Sequence, residues 1–190
     1  TVTNADELIE ALKQAQAGQV VYVPDGVEVD LTNAGTLRIP GGVTLAGSRG
    51  HDGSAGALIV SNHESRLMLA TGGAHVRVTG LRFEGAHGGN DRSAIASNFM
   101  SISHYDAEVD NCEIYNFNVS GIGVGVGGMG AYIHHNYLHH IWRAGLGYPV
   151  STSGGDTRII ANRFDCGRHH VASSGSPGSG YEFAYNWIGP

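Results

Sequence analysis

The sequence predicts an all-β solenoid, in which short strands wind into stacked coils, and three observations lead to this fold class. A short apolar motif recurs along the second half of the chain at intervals near 25 residues. Thirty of the 190 residues are glycine, with no collagen period, which indicates many turns. A helical pattern occurs only at the beginning of the chain. The length fits one domain with an ample core, so we predict a single domain over residues 1–190.

The N-terminal segment predicts a helix that caps the coils. Residues 3–17, TNADELIEALKQAQA, repeat leucine and alanine at helical spacing. Asn4 and Glu7 have the spacing of a capping box, and Gly18 is expected to end the helix. The coils are then predicted to occupy residues 20–190, beginning with the strand-like segments VVYVP and VTLAG.

The repeated motif has the form apolar-x-x-[N/C/L]-x-apolar. Its anchor positions are Leu81, Cys112, Asn136, Asn162 and Asn186. A period near 25 with short strands and almost no helix is typical of a solenoid, here of roughly six coils with three strands each. Equivalent residues of neighbouring coils should then stack about 4.8 Å apart.

Stacking of the coils predicts three columns of inward side chains. The first column contains Val78, Val109, Ile133, Ile159 and Phe183. The second contains Phe83, Ile114, Leu138, Phe164 and Ile188. The third is an asparagine ladder of Asn136, Asn162 and Asn186, whose amides can bond to one another and to turn backbone.

The sequence resembles the right-handed parallel β-helix superfamily typified by pectate lyases. Those proteins have Asn or Cys at the turn after the second strand, as Cys112, Asn136, Asn162 and Asn186 do here. The resemblance covers nearly the whole chain and implies an N-terminal cap, a right-handed parallel β-helix, and a substrate groove along the first strand of each coil. The superfamily contains lyases, hydrolases, esterases, phage spikes and non-enzymes, so the fold alone leaves the function open.

Charged and aromatic residues gather where the first strand of each coil is expected to begin. The register is set by aligning four apolar residues: Ile95, Ile122, Leu146 and Val171. The column before them then contains Arg92, Val119, Arg143 and Arg168. His169 and His170 follow this column, and Tyr148 aligns with Ser173. Four small residues are expected to form a floor that a ligand can approach closely: Gly121, Gly123, Gly145 and Gly147.

This face suits an acidic polysaccharide, and β-elimination is the reaction that it predicts. Arg143 and Arg168, with Arg92 as a further binding residue, could hold a uronate carboxylate and so acidify the neighbouring C5–H. His170, or alternatively His169, would remove that proton, and Tyr148 would protonate the leaving O4. The structural alternative is that the arginines pair with surface carboxylates such as Asp91 and Asp165, and that His170 is a solvated strand residue.

Several family patterns are missing from the sequence. The calcium-dependent lyases have an Asp cluster near the first strand, whereas this column offers only Asp91, so calcium is possible but unsupported and no cofactor is predicted. The RxPxxR motif does not occur, and the single lysine, Lys13, lies in the cap helix. The NTD, DD and GHG motifs of the pectin hydrolases are also missing, which disfavours a paired-carboxylate hydrolase.

Four histidines occur in the segment AYIHHNYLHHI, residues 131–141. The register directs His134 and His139 outward, with His134 beside Asp110 and His139 between Tyr115 and Asp165. We expect surface ladders of His–Asp pairs, and we favour this over a metal site because no HExxH or Cys/His ligand spacing occurs.

Composition limits the partners. The net charge of −6 and the lack of a Lys/Arg run argue against nucleic acid, and no apolar run is long enough for a membrane span. The chain starts with Thr1 rather than Met, so we expect that a leader is removed and that the protein is secreted or held at the cell surface. Cys112 and Cys166 lie two coils apart in the register, so both are expected to be free thiols.

The C-terminal end suggests a second class of function. Pro190 follows directly after a strand anchor, with no capping segment. We therefore expect either that this is the N-terminal portion of a longer β-helix or that a partner chain covers the end, most simply through end-to-end self-association. The alternative to a lyase is thus a non-catalytic, carbohydrate-binding or self-assembling solenoid.

Overall fold

The protein is a right-handed parallel β-helix with an N-terminal helical cap, as the sequence predicts. The computed structural model describes residues 2–63, 65–86 and 96–190. The elements in chain order are α1 (Ala5–Gln14), β1 (Val20–Tyr22), β2 (Glu28–Asp30), β3 (Leu37–Ile39), β4 (Thr44–Ala46), β5 (Leu58–Val60), β6 (Leu67–Thr71), β7 (Arg77–Thr79), β8 (Arg82–Glu84), β9 (Asn98–Ile102), β10 (Glu108–Asp110), β11 (Glu113–Tyr115), β12 (Ser120–Val124), β13 (Tyr132–His134), β14 (Tyr137–Ile141), β15 (Tyr148–Thr152), β16 (Thr157–Ile160), β17 (Arg163–Gly167), β18 (Val171–Ser173), β19 (Tyr181–Ala184) and β20 (Trp187–Ile188).

The strands form three parallel sheets that run along the axis of the solenoid. Sheet A has the order β1-β4-β7-β10-β13-β16-β19, sheet B the order β2-β5-β8-β11-β14-β17-β20, and sheet C the order β3-β6-β9-β12-β15-β18. Each coil contributes one strand to each sheet, so every third strand in the chain pairs with its predecessor. The single helix, α1, is too short to cross a membrane, and the described residues contain no other helix.

The cap helix is shorter than the predicted span 3–17. The Asn4 side chain caps its start by accepting a hydrogen bond from the Glu7 amide at 3.0 Å, as expected. The returning bond is displaced by one residue, because the Glu7 carboxylate accepts from the amide of Thr3 at 2.7 Å and not from that of Asn4. Leu8 and Leu12 are buried, and they attach the helix to the first coils.

Both predicted apolar columns are confirmed by the strand register. In sheet A, Val109 pairs with Val78 and Ile133, and in sheet B, Ile114 pairs with Phe83 and Leu138. The columns continue to the last coil through Ile159, Phe183, Phe164 and Ile188. These side chains are buried as far as the last coil, where Phe183 and Ile188 are partly exposed.

The asparagine ladder is also confirmed. The Asn162 carboxamide oxygen accepts from both the backbone N and Nδ2 of Asn136, each at 3.0 Å, and Asn186 bonds to Asn162 in the same way at 2.8 and 3.0 Å. Asn136 Oδ1 in turn accepts from the amide of Cys112 at 3.0 Å. Each amide therefore satisfies buried backbone groups of the coil next to it. Cys112 and Cys166 are free, as predicted.

Candidate functional site

The outer face of sheet C carries a groove with a floor of small side chains. Its central row consists of Ser101, Gly123, Ser151 and Ala172, which pair across β9, β12, β15 and β18. The groove encloses about 450 Å³, and its other lining residues include Tyr148, Thr152 and three serines. Small residues on adjacent coils leave the backbone accessible, so an extended ligand can lie along the axis of the solenoid.

The register predicted for this sheet is wrong at Leu146. Val171 pairs with Val150, which in turn pairs with Ile122, so Ile122 is correctly placed and Leu146 is not. The next member of the column is Met100. Ile95 and Arg92, which the alignment placed in these columns, lie outside the described residues.

A tight hairpin in the loop before β15 causes this error. Arg143 and Leu146 form an antiparallel bridge, with N···O distances of 3.3 and 3.1 Å, and Gly145 has a φ of 90°. The hairpin takes up residues that the alignment counted as strand, so β15 begins only at Tyr148. Arg143 therefore lies in the hairpin and does not stack under Arg168, whose amide instead donates to the carbonyl of Gly147 at 3.2 Å.

The corrected register brings Arg168 and His169 next to Tyr148, which lines the groove, while Arg168 and His169 themselves line a second depression at the last coil. Arg168 Nη1 donates to the Tyr148 hydroxyl at 3.3 Å and to the carbonyl of Gly145 at 3.1 Å. The rings of Tyr148 and His169 stack with their centroids 6.0 Å apart and an angle of 10° between planes. The expected alignment of Tyr148 with Ser173 is wrong, because Ser173 pairs with Thr152.

His170, the preferred base in the sequence interpretation, has a different environment from its neighbour. Its ring packs against the buried Phe164, with centroids 5.7 Å apart, and its Nδ1 is buried without a hydrogen-bond partner. Burial lowers the pKa of His170, because it disfavours the charged imidazolium. His169 is exposed and stands beside Tyr148, so the structure joins His169, and not His170, to the other groups.

The glycine floor is only partly as predicted. Gly123 lies in the central row, whereas Gly121 and Gly147 are buried and Gly145 belongs to the hairpin. The serines that replace them were not identified from the sequence. Their positions in the chain are irregularly spaced because the loops before sheet C differ in length, so no periodic signal marks them.

The two histidine pairs adopt the same geometry on two different sheets. His134 Nε2 lies 2.9 Å from Glu108 Oε1, and His139 Nε2 lies 3.2 Å from a Glu113 carboxylate oxygen. In each pair the following histidine has a positive φ, at a turn for His135 and within β14 for His140, and the two Nδ1 atoms are 2.8 Å apart in one pair and 2.7 Å in the other. The expected partners were Asp110 and Asp165; these aspartates occupy the predicted register positions, but the carboxylates that bind are glutamates.

One cluster among the described residues has the composition of a metal site. Glu108, Asp110 and His134 have ligand atoms within 4.8 Å of one another. However, Arg77 already binds the buried Asp110 through two bonds, Nε–Oδ1 at 2.8 Å and Nη2–Oδ2 at 2.9 Å. Burial of Asp110 would raise its pKa, but hydrogen bonds from Arg77 and Thr79 outweigh this and leave the pKa below its usual value. A guanidinium thus occupies the place that a cation would need, and we interpret this cluster as structural.

Comparisons of the chain with protein-family models, with curated proteins and with solved structures gave no match.

Proposed function

We propose that this protein is a polysaccharide lyase that cleaves an acidic, uronate-containing polysaccharide by β-elimination in the sheet C groove. The observation that carries the proposal is the contact of Arg168 with the Tyr148 hydroxyl, beside the stacked ring of His169, at the edge of the sheet C groove. An anion-binding group, an acid and a base therefore lie within one site. We further propose that the protein acts outside the cell, where such polymers occur.

The reaction divides among these three residues. The Arg168 guanidinium, of which one nitrogen contacts Tyr148, binds the uronate carboxylate and stabilises the negative charge that develops when C5–H is broken. His169 accepts the C5 proton, and Tyr148 donates its hydroxyl proton to O4 as the C4–O4 bond breaks and the C4=C5 bond forms. The hydrogen bond that Arg168 donates to the Tyr148 oxygen stabilises the resulting phenolate until proton exchange restores the neutral pair.

Other residues of the sequence interpretation take smaller parts in this proposal. Arg143 lies in the hairpin that also presents the Gly145 carbonyl to Arg168, so we assign it a positioning role. His170 supports the strand start from its half-buried position. The polar side chains that line the groove are hydroxyl groups and none is a carboxylate, so we assign acidification of C5–H to Arg168 and not to calcium.

The experiment compares two exposed arginines. We expect Arg168→Ala to lower kcat/KM on uronate polymers about 100-fold or more, because a positioned donor to developing charge contributes this much. Arg158→Ala is the matched control, since Arg158 is also exposed but pairs with Glu182 on sheet A. Formation of the unsaturated product is followed by ultraviolet absorbance, and melting curves show that both variants are folded. Equal turnover by wild type and Arg168→Ala would refute the site.

A second candidate function has support at the last coil. Tyr185 is 89% exposed, and Trp187 and Ile188 are each more than half exposed. The strands β18, β19 and β20 also lie at the edges of their sheets. An exposed apolar surface at these edge strands suits self-association of a binding or structural solenoid. Sedimentation equilibrium tests this candidate: association that Trp187→Glu abolishes would support it, and a monomer at high concentration would count against it.

A further inference from the structure

The acid and the base of the proposed site are direct neighbours at the edge of the groove, where Tyr148 lines the groove and His169 stacks beside it. Tyr148 begins β15, and His169 lies two residues before Val171, which pairs with Val150 on the adjacent coil. The two side chains are therefore neighbours on adjacent coils, and their rings are nearly parallel, with centroids 6.0 Å apart. Arg168 contacts the Tyr148 hydroxyl from the same side.

This spacing leaves no room for a sugar ring between the two side chains. A pyranose inserted between two parallel rings needs a carbon–carbon contact distance of about 3.5–4 Å to each ring. The two rings would therefore have to be separated by roughly 7–8 Å and, in addition, by the thickness of the sugar ring itself. A bound sugar must instead lie on one side of the pair. Both Tyr148 and His169 then approach the same face of that sugar.

We infer that the elimination is of the syn type, and that the substrate is a uronate in which C5–H and C4–O4 lie on the same face of the ring. This inference rests on the proposed function, which it narrows to a stereochemical class. β-D-Mannuronate and β-D-glucuronate have this arrangement. Their epimers do not: α-L-guluronate differs from mannuronate only at C5, and galacturonate differs from glucuronate only at C4.

The atoms balance without a further reactant. The C5–H pair of electrons forms the C4=C5 double bond, the C4–O4 bond pair leaves with O4, and the proton from Tyr148 neutralises it. His169 ends protonated and Tyr148 ends as a phenolate, and one proton exchanged between them through solvent restores both. An anti elimination would require the base and the acid on opposite faces of the sugar, which two stacked neighbours cannot provide.

Two epimer pairs of O4-linked homopolymers test the inference with the intact protein: polymannuronate against polyguluronate, and polyglucuronate against polygalacturonate. We expect kcat/KM, followed by absorbance of the unsaturated product, to favour mannuronate and glucuronate over their epimers by about 100-fold, because the epimers misplace one of the two proton transfers. Tyr148→Phe should lower turnover of both favoured polymers to a similar extent. Tyr105→Phe, at an exposed tyrosine of another surface, should not.

The outcomes separate the inference from the proposed function. Preferential cleavage of polyguluronate or polygalacturonate that depends on Arg168 would overturn the same-face inference while supporting the lyase. Absence of product from all four polymers would overturn the lyase itself, and the inference with it. Cleavage of a favoured polymer that persists unchanged in both Tyr148→Phe and His169→Ala would also overturn the inference, because the acid and base would then lie elsewhere.

Discussion

The connections between sheets A and B differ sharply from those that lead into sheet C. From β7 onward, every connection from a sheet A strand to the next sheet B strand has two residues, and in the last three coils the second of these is an asparagine of the ladder. The connections from β11, β14 and β17 into sheet C have four, six and three residues. Regular turns thus fix the stacking of the coils, and the variable loops beside sheet C build the candidate site.

This difference has a physical cause. In the regular turns a residue with left-handed backbone conformation, such as His135 or Ala161, changes the direction of the chain. The asparagine that follows bonds to buried backbone groups, and an inserted residue would leave those groups without a hydrogen-bond partner. The loops before sheet C bond chiefly to themselves or to the loop of the next coil, as the Arg143–Leu146 hairpin does. Apart from Phe117, which is buried in the core, these loops can therefore change in length with little effect on the core.

Loss of the buried carboxylate of Asp110, whose partner Arg77 is partly exposed, should give the largest effect. Asp110 has no exposed surface and accepts hydrogen bonds from Arg77, Thr79 and Asn111. We expect Asp110→Ala to lower the free energy of unfolding by about 3–5 kcal/mol, measured by urea denaturation, because several hydrogen bonds to a buried charged group are lost together. Glu182→Ala breaks an exposed pair with Arg158 and should change it by less than about 1 kcal/mol. Similar losses in the two variants would contradict the account.

The same carboxylate predicts a dependence on pH. Because the pKa of Asp110 is lowered in the folded state, its contribution is fully present above the unfolded value of about 3.9 and is lost as the pH falls through the folded pKa. Wild type should therefore lose stability relative to Asp110→Ala when the pH is lowered below about 4. Denaturation curves at several pH values check this; a difference between the two proteins that stays constant at acidic pH would disagree with it.

Removal of one amide from the ladder should have the next largest effect. Asn162→Ala leaves the buried backbone N of Asn136 without its acceptor and also removes the bond to the Ile133 carbonyl. We expect a loss of about 2–3 kcal/mol in the free energy of unfolding. The exposed Asn62 provides the control, for which Asn62→Ala should stay within about 0.5 kcal/mol. If Asn162→Ala were as stable as Asn62→Ala, the asparagine ladder would not be what fixes the regular turns.

Substitutions of Gly145 and Gly147, in and next to the hairpin, test whether the loops before sheet C shape the site. Both have positive φ, but a Cβ on Gly147 would lie 2.3 Å from the Trp142 Cα, whereas one on Gly145 would meet no atom within 4 Å. Gly145→Ala should therefore cost about 1 kcal/mol from backbone strain alone. Gly147→Ala should cost about 1–3 kcal/mol and also lower turnover, because the hairpin must shift beside Tyr148. Equal turnover in the two variants would show that the hairpin does not shape the site.

The thiols of the two cysteines should differ in their reactivity. Burial raises the pKa of Cys112, at its turn between sheets A and B, to about 12, whereas Cys166 is only partly buried. A thiol reagent should label Cys166 in the folded protein and Cys112 only after unfolding, as read by mass spectrometry of the peptides. If Cys112 were labelled in the folded protein at the same rate as Cys166, the turn that contains Cys112 would open readily.

The sequence was informative where the connections have constant length. The spacing of Cys112, Asn136, Asn162 and Asn186 predicted sheets A and B in register, because each turn admits only two residues. It failed at Leu146, because no residue pattern shows that the loop before β15 forms a hairpin.

The candidate site was predicted in part for the same reason. Arg168, His169 and Tyr148 were identified by residue type, but their mutual contacts depend on a register that the loop lengths conceal. The choice between His169 and His170 depends on which ring faces the core, and adjacent residues of one type do not reveal this in a sequence.

A crystal structure of the Tyr148→Phe variant with a bound mannuronate oligosaccharide would test the central claim most directly. We expect a sugar chain along the sheet C groove over Gly123 and Ser151, with one carboxylate bonded to the Arg168 guanidinium and the C5 of that sugar next to His169. A sugar bound away from sheet C, or in the groove with no carboxylate on Arg168, would contradict it.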